Sequence, residues 1–220
     1  MFGGLKYFTL GLLIVVFYSC DLSYQNDLLQ EGDILFQDLD CGPLCESIES
    51  VTLGINNRSF SHCGMVINQN DSLFVIEAIS DGVVLTPLQT FLARSNDTVE
   101  VNNVLVGRVI DPTLISDAKN FTMGLIGSTY DEVFTLNDDK YYCSELLYEG
   151  FKHANNNSSF FKLNVMTFKD PSTGKTFPSW IAYYEDLDQP IPEGKMGINP
   201  GAISRSKKIK IVEIDWLRYI

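Results

Sequence analysis

Cys143 stands in Lys140-Tyr141-Tyr142-Cys143-Ser144-Glu145-Leu146-Leu147, and His62, one of only two histidines, stands in Phe60-Ser61-His62-Cys63-Gly64-Met65-Val66. The first stretch reads as a loop entering a helix at Cys143, the second as the start of a strand. A thiol at a helix N-terminus lies at the positive end of the helix dipole, beside unpaired N–H groups, and both favour thiolate over thiol. The same N–H groups can hold an oxyanion as it develops. An imidazole is the base that such a nucleophile needs. Glu77 supplies the third group: in Phe74-Val75-Ile76-Glu77-Ala78-Ile79 a carboxylate within an apolar strand is costly unless paired. On a strand hairpinned to that of His62 it would accept the ring N–H and orient the imidazole.

Taken singly, each residue has a plainer reading. Cys143 reads as a buried structural cysteine, His62 as a hydrogen-bonded core histidine and Glu77 as an edge or solvent-facing residue. The three assignments therefore depend on one another. His153 falls late in the Cys143 helix, where contact with the C-terminal end of the dipole is its simplest account.

The elements that must position these groups follow from local pattern. Gly32 to Gln37 reads as a turn feeding a strand, and Cys45 to Leu53 as a short amphipathic helix. Two strands, His62 to Asn68 and Ser72 to Ile79, flank the hairpin signal Gln69-Asn70-Asp71. Asp81-Gly82 turns into Val83 to Leu85, and Thr86-Pro87 reads as an N-cap with proline in the first helical position, opening a helix to about Arg94. Asn103 to Ile110 reads as a strand, and Asp111-Pro112 repeats the cap signal before a helix to about Ile126. A helix is expected from Cys143 to Ala154, another from Pro178 to Leu187, and a terminal strand from Lys208 to Ile214. Irregular alternation with hairpins points to an α+β fold with a largely antiparallel sheet.

The chain has 220 residues, 45% of them hydrophobic, enough for one substantial core without disulfide staples. A formal net charge of -12 argues against a nucleic-acid partner, since phosphate binding draws on clustered Lys and Arg. The basic cluster Lys207, Lys208 and Lys210 reads as a solvated strand edge. Residues 1–20 read as a targeting segment: Lys6, an apolar run from Tyr7 to Phe17, then Ser19 before Cys20, too short a run to span a bilayer comfortably. Phe17-Tyr18-Ser19-Cys20 resembles the lipobox of bacterial lipoproteins. That resemblance implies lipidation of Cys20 and a membrane anchor on the cell envelope, with an ordinary signal peptide as the alternative. Residues 21–220 are expected to form a single domain.

Export permits disulfides, and Cys41 and Cys45, separated by Gly42-Pro43-Leu44, are the one pairing that the spacing favours. A zinc site from Cys41, Cys45, His62 and Cys63 is disfavoured because neighbouring His62 and Cys63 on a strand point to opposite faces, so no metal is expected.

In order along the chain, Gly32-Asp33-Ile34-Leu35-Phe36-Gln37, Phe60-Ser61-His62-Cys63-Gly64, Val75-Ile76-Glu77-Ala78, Gly82-Val83 with Thr86-Pro87-Leu88, and Tyr141-Tyr142-Cys143-Ser144-Glu145-Leu146 resemble the permuted papain-like amidases of the YiiX and YaeF type, within the wider NlpC-like superfamily. The resemblance implies a papain-like, circularly permuted fold and a triad that falls on Cys143, His62 and Glu77, with no cofactor. It places Tyr130 near the substrate pocket. It implies hydrolysis of peptide or amino-acyl amides, such as those of cell-wall stem peptides. Relatives in the superfamily that act on lipids keep a lipid acyltransferase or lipid hydrolase open as the alternative. A non-catalytic envelope binding lipoprotein is the third reading. Cys63 replaces the family's usual aliphatic residue after the histidine, a swap expected to be absorbed by the core.

Overall fold

Strands β1 (Ile34–Gln37), β2 (His62–Gln69), β3 (Ser72–Ile79), β4 (Gly82–Pro87), β5 (Leu105–Val109) and β8 (Ile209–Val212) form one antiparallel sheet in the order β4-β3-β2-β1-β5-β8. The structure, a computed structural model, describes residues 28–39, 41–95 and 104–219. The expected targeting segment and Cys20 lie outside the described residues. Helices α1 (Pro43–Val51), α2 (Leu88–Ala93), α3 (Ile115–Gly124), α4 (Cys143–Ala154), α5 (Pro178–Asp186) and α6 (Pro200–Ser204) surround the sheet, and β6 (Asn164–Val165) pairs with β7 (Met196–Gly197) in a small second sheet. Among the described residues no helix is long and apolar enough to cross a membrane.

The central strands are apolar on both sides because both faces are covered. Phe36, Met65, Ile67 and Ile76 pack with Leu146, Leu147 and Phe151 of α4. On the opposite face Leu35, Val66, Val75 and Val106 pack with Leu88, Phe91 and Leu92 of α2. Such two-sided burial turns alternation into continuous apolar runs and pins the register, since a one-residue slip would exchange the faces. A third cluster, Phe168, Trp180 and Tyr184, seats α5 against α1.

Local sequence accounts for most boundaries. The β2–β3 hairpin turns on Asn70 and Asp71, both at positive φ (52° and 60°), the two-residue turn whose twist matches the strands it joins. Asp111 caps the next helical segment by accepting from the Thr113 N–H at 3.1 Å. The first helix starts earlier than expected, at Pro43 rather than Cys45, because proline suits the first helical turn. Thr86 is the clearer departure. It is not a helix cap: it stays in β4, Pro87 takes the cap position without a side-chain bond, and the Thr86 hydroxyl donates to Glu77 instead.

Gly64 is required by close approach. A Cβ there would lie 2.4 Å from a Val75 methyl, 3.0 Å from the Ile76 carbonyl oxygen and 3.3 Å from the Glu77 Cβ, so β2 could not lie flush against β3. Gly64→Ala should destabilise the protein by about 1–3 kcal/mol, the usual cost of overpacking, as read from the urea midpoint. An unchanged midpoint would show that the sheet accommodates the methyl.

Candidate active site

His62 opens β2 opposite Gln37 of β1, while Glu77 lies on β3 near the register position of Gly64. The missing side chain at Gly64 lets the two meet diagonally across the strands. His62 Nε2 donates to Glu77 Oε2 at 2.6 Å. The carboxylate also accepts Arg94 Nη2 at 2.6 and 2.7 Å and the Thr86 hydroxyl. Gln37 fixes the far end of this arrangement, donating to the Phe91 carbonyl at 2.8 Å and to Ser95, so the chain on either side of Arg94 is held over Glu77. Phe91 lies beside the imidazole, with ring centroids 5.9 Å apart.

Cys143 begins α4 with Tyr142 as its N-cap. Glu145 sits at the third helical position and reaches back to the Tyr142 backbone N–H, one half of a capping box. By position, the remaining N–H groups of the first turn have no intrahelical carbonyl to bind. Ile198 anchors the helix start from outside: its N–H donates to the Tyr142 hydroxyl and its carbonyl accepts from the Ser144 hydroxyl, each at 3.1 Å.

The sulfur and the imidazole meet. The His62 imidazole and the Cys143 thiol lie beside each other, each acting on the other's charge, while Nε2 of the ring is engaged by Glu77. Cys143 is 7% exposed, His62 5% and Glu77 0%, so the pair is shielded from water. Cys63 also lies beside Cys143 and favours its charged form. Cys63 was expected only to fill the core. It does so on the α4 side, yet the sulfur at the end of β2 is met by both His62 and Cys63.

These contacts fix the charges. Hydrogen bonding from Cys63 and His62, with the imidazolium charge, outweighs burial and holds the Cys143 thiol well below its ordinary range. Burial opposes charge on His62, but its bonds to Cys143 and Glu77 prevail and push its pKa up to about 9. Burial would raise Glu77, yet His62, Thr86 and Arg94 hold it below the usual carboxylate range. Cys63, pushed up by burial and by the charge on Cys143, stays a thiol. Burial and the neighbouring Asp131 push Glu145 up to about 9, so at neutral pH it caps the helix as an uncharged acid and does not oppose the thiolate. At neutral pH these shifts favour a thiolate at Cys143 and an imidazolium at His62.

A cavity of about 100 Å³ reaches Cys143. Its walls are largely apolar: Ile48 and Val51 of α1, Val165 of β6, Phe134, Trp180 and Ile198. Tyr130 lines it too, and burial together with the Cys143 charge raises its pKa, so the phenol remains a donor. Phe134 holds a positive φ of 58° and packs on Tyr142 and Trp180 with centroids 5.4 and 5.7 Å away. Asp131 stabilises that turn by accepting the Val133 and Thr135 N–H groups at 2.8 and 2.6 Å. Cys41 and Cys45 are disulfide-bonded across the start of α1, the helix that forms one wall. His153 stacks on Phe121 at 4.5 Å, away from the site.

An antiparallel sheet bearing His62 and Glu77, packed against a helix headed by Cys143, defines a permuted papain-like protein. Residues 28–213 match the permuted papain-like amidase family YaeF/YiiX, also termed C92, and the chain belongs to it. It is 30% identical over 129 residues to the uncharacterised protein YiiX of Escherichia coli K12, an alignment covering 57% of this chain and 58% of that protein. The fold resembles that of the metalloprotein yiiX from Escherichia coli O157:H7, with a TM-score of 0.67 and 23% identity over 85% of this chain and 98% of the other. Among the described residues of the present chain, no group of three or more His, Cys, Asp or Glu side chains is arranged to hold a metal ion. The donors do not fit one, and no chemical step here runs through a metal.

Reactivity of Cys143 toward iodoacetamide should require its own deprotonation and persist to low pH. Replacing Cys63 by Val should move the midpoint upward, because a donor to the thiolate is lost. An unchanged midpoint would remove Cys63 from the account. Glu77→Gln should bring the alkaline titration of His62 below about 9, followed by NMR of the ring, because the anion that favours imidazolium is gone.

Proposed function

We propose that the protein is a thiol-dependent hydrolase of amide bonds, with Cys143 as nucleophile, His62 as general base and acid, and Glu77 as the group that orients the ring. What carries this reading is the contact of a helix-terminal thiolate with an imidazolium backed by a buried carboxylate. The thiolate attacks the acyl carbon, the oxyanion is held by the Cys143 N–H, and His62 passes its proton to the leaving amine. Water, activated by the now neutral His62, then releases the acid. Tyr130 lines the cavity as part of the substrate pocket.

Peptide or amino-acyl amides, including cell-wall stem peptides, are the substrates that family membership favours. The apolar walls favour a second reading within the same chemistry, an acyl or lipid substrate that lodges a hydrocarbon group beside the sulfur. Exposed Val165 and Met196, paired across β6 and β7, carry the apolar lining outward. An envelope location, with an anchor at Cys20, is supported by the apolar N-terminal run and by the Cys41–Cys45 disulfide, which belongs to an oxidising compartment.

Cys143→Ala should abolish turnover of any amide that the wild type cleaves while leaving the urea midpoint close to that of the parent. Residual turnover would refute the mechanism. Glu77→Gln should lower kcat by about 10²-fold or more. Across N-acyl amides of rising chain length, kcat/KM should climb by about fourfold per buried methylene until the cavity is full. A flat series, with polar amino-acyl amides preferred, would discard the acyl reading and keep the peptide one.

A further inference from the structure

Cys63 and Cys143 are the two free cysteines among the described residues, both buried, while Cys41 and Cys45 are bonded to each other. They belong to the same core cluster, on β2 and at the start of α4, two elements that pack together, and the Cys63 thiol lies beside Cys143. Their access differs. Cys143 lines the cavity and Cys63 does not, being 0% exposed, so a small solute reaches the first sulfur and not the second.

We propose that this pair is an oxidation site at which Cys63 resolves oxidised Cys143 into a reversible disulfide, shielding the nucleophile from irreversible damage. The oxidant is hydrogen peroxide or an alkyl hydroperoxide small enough to enter the cavity. The Cys143 thiolate attacks the peroxide: an S–O bond forms, the O–O bond breaks, sulfur is oxidised by two electrons, and hydroxide or alkoxide leaves to take up the His62 proton. The sulfenic acid that results is uncharged, which removes the neighbouring anion that had opposed ionisation of Cys63. The Cys63 sulfur then attacks that of Cys143, the S–S bond forms, the S–O bond breaks, and the departing hydroxide combines with the Cys63 proton as water. The two thiols and one hydrogen peroxide thus yield one disulfide and two waters. Both residues belong to the core cluster on the side of the sheet that α4 covers, so the bond of about 2.05 Å that joins the sulfurs forms within one packed layer. The aliphatic residue that the family usually carries after the histidine could not do this.

This inference rests on the thiolate assigned to Cys143, so the experiment reads the two separately. The full chain is first labelled with iodoacetamide at pH 6, and a second sample is treated with hydrogen peroxide, alkylated, digested and mapped by mass spectrometry. The expected result is labelling of Cys143 in the first sample. In the second it is a cross-linked peptide pair joining Cys63 to Cys143, lost on treatment with dithiothreitol. In Cys63→Val the same peroxide dose should convert Cys143 to sulfinic or sulfonic acid that dithiothreitol does not reverse. A labelled Cys143 that instead over-oxidises in the wild type, or pairs with Cys41 or Cys45, would overturn the resolving role and leave the hydrolase reading intact. An unlabelled Cys143 would overturn both. The cross-link is scored in the wild type, so the outcome does not depend on how well the variant folds.

Discussion

Three charges are withdrawn from water, the Cys143 thiolate, the His62 imidazolium and the Glu77 carboxylate, and the partly exposed Arg94 guanidinium adds a fourth by pairing with Glu77. Their sum is zero, and this balance is the condition on which the site depends. A lone ion in such surroundings would neutralise itself by taking or losing a proton, whereas alternating signs in hydrogen-bond contact let each keep its charge. Arg94, with a side chain 29% exposed, closes the chain at the solvent side. The fold supplies the rest of the insulation. Gln37 holds the end of α2 so that the guanidinium arrives over Glu77, and Thr86 gives up a capping role to fill the remaining acceptor position. A residue that looks ordinary in its own segment is thus committed to an ion network centred on the neighbouring strand.

The same economy appears at the helix start. Glu145 is a carboxyl in the first turn of the helix that Cys143 begins, with Asp131 as its charged neighbour. Burial keeps the carboxyl protonated to about pH 9, and its bond to the Tyr142 N–H steadies the first turn without adding an anion. The cavity in front of the sulfur is built by elements distant in sequence: α1 bound to its disulfide, the Phe134 turn tied down by Asp131, and the β6–β7 pair. Apolar walls lower the local dielectric and so strengthen the attractions within the ion pair. They also limit what can approach it.

Much of this was legible in the chain. The helix from Cys143 to Ala154 and the strand from Ser72 to Ile79 have the bounds that local pattern implies, because an amphipathic helix and a hairpin with an Asn-Asp turn are encoded within a few residues. Arg94 carried no such signal, since its partner is fixed only when α2 folds back onto the sheet. Phe134 and Trp180 looked like ordinary core aromatics, and nothing in their neighbourhoods marked them as cavity walls. The Pro- and Gly-rich stretch from Gln189 to Gly201, which shows no periodicity, contributes β7 and the start of α6, held by packing and by the Asn199 cap on the Ala202 N–H.

Residue types and their order determined that a thiol nucleophile, an imidazole and an acid were available, and on which kind of element each would stand. Those are local properties, set by propensity, capping and hydrophobic period. Only the tertiary structure decided that Nε2 of His62 faces Glu77, that Arg94 completes the charge balance, and that Cys63 lies beside Cys143 as well as in the core. Alternation along a strand predicts that neighbouring side chains diverge, but at the twisted end of β2 a sulfur arriving from α4 meets both. Contacts of that kind depend on the packing of elements far apart in sequence, and no local window contains them.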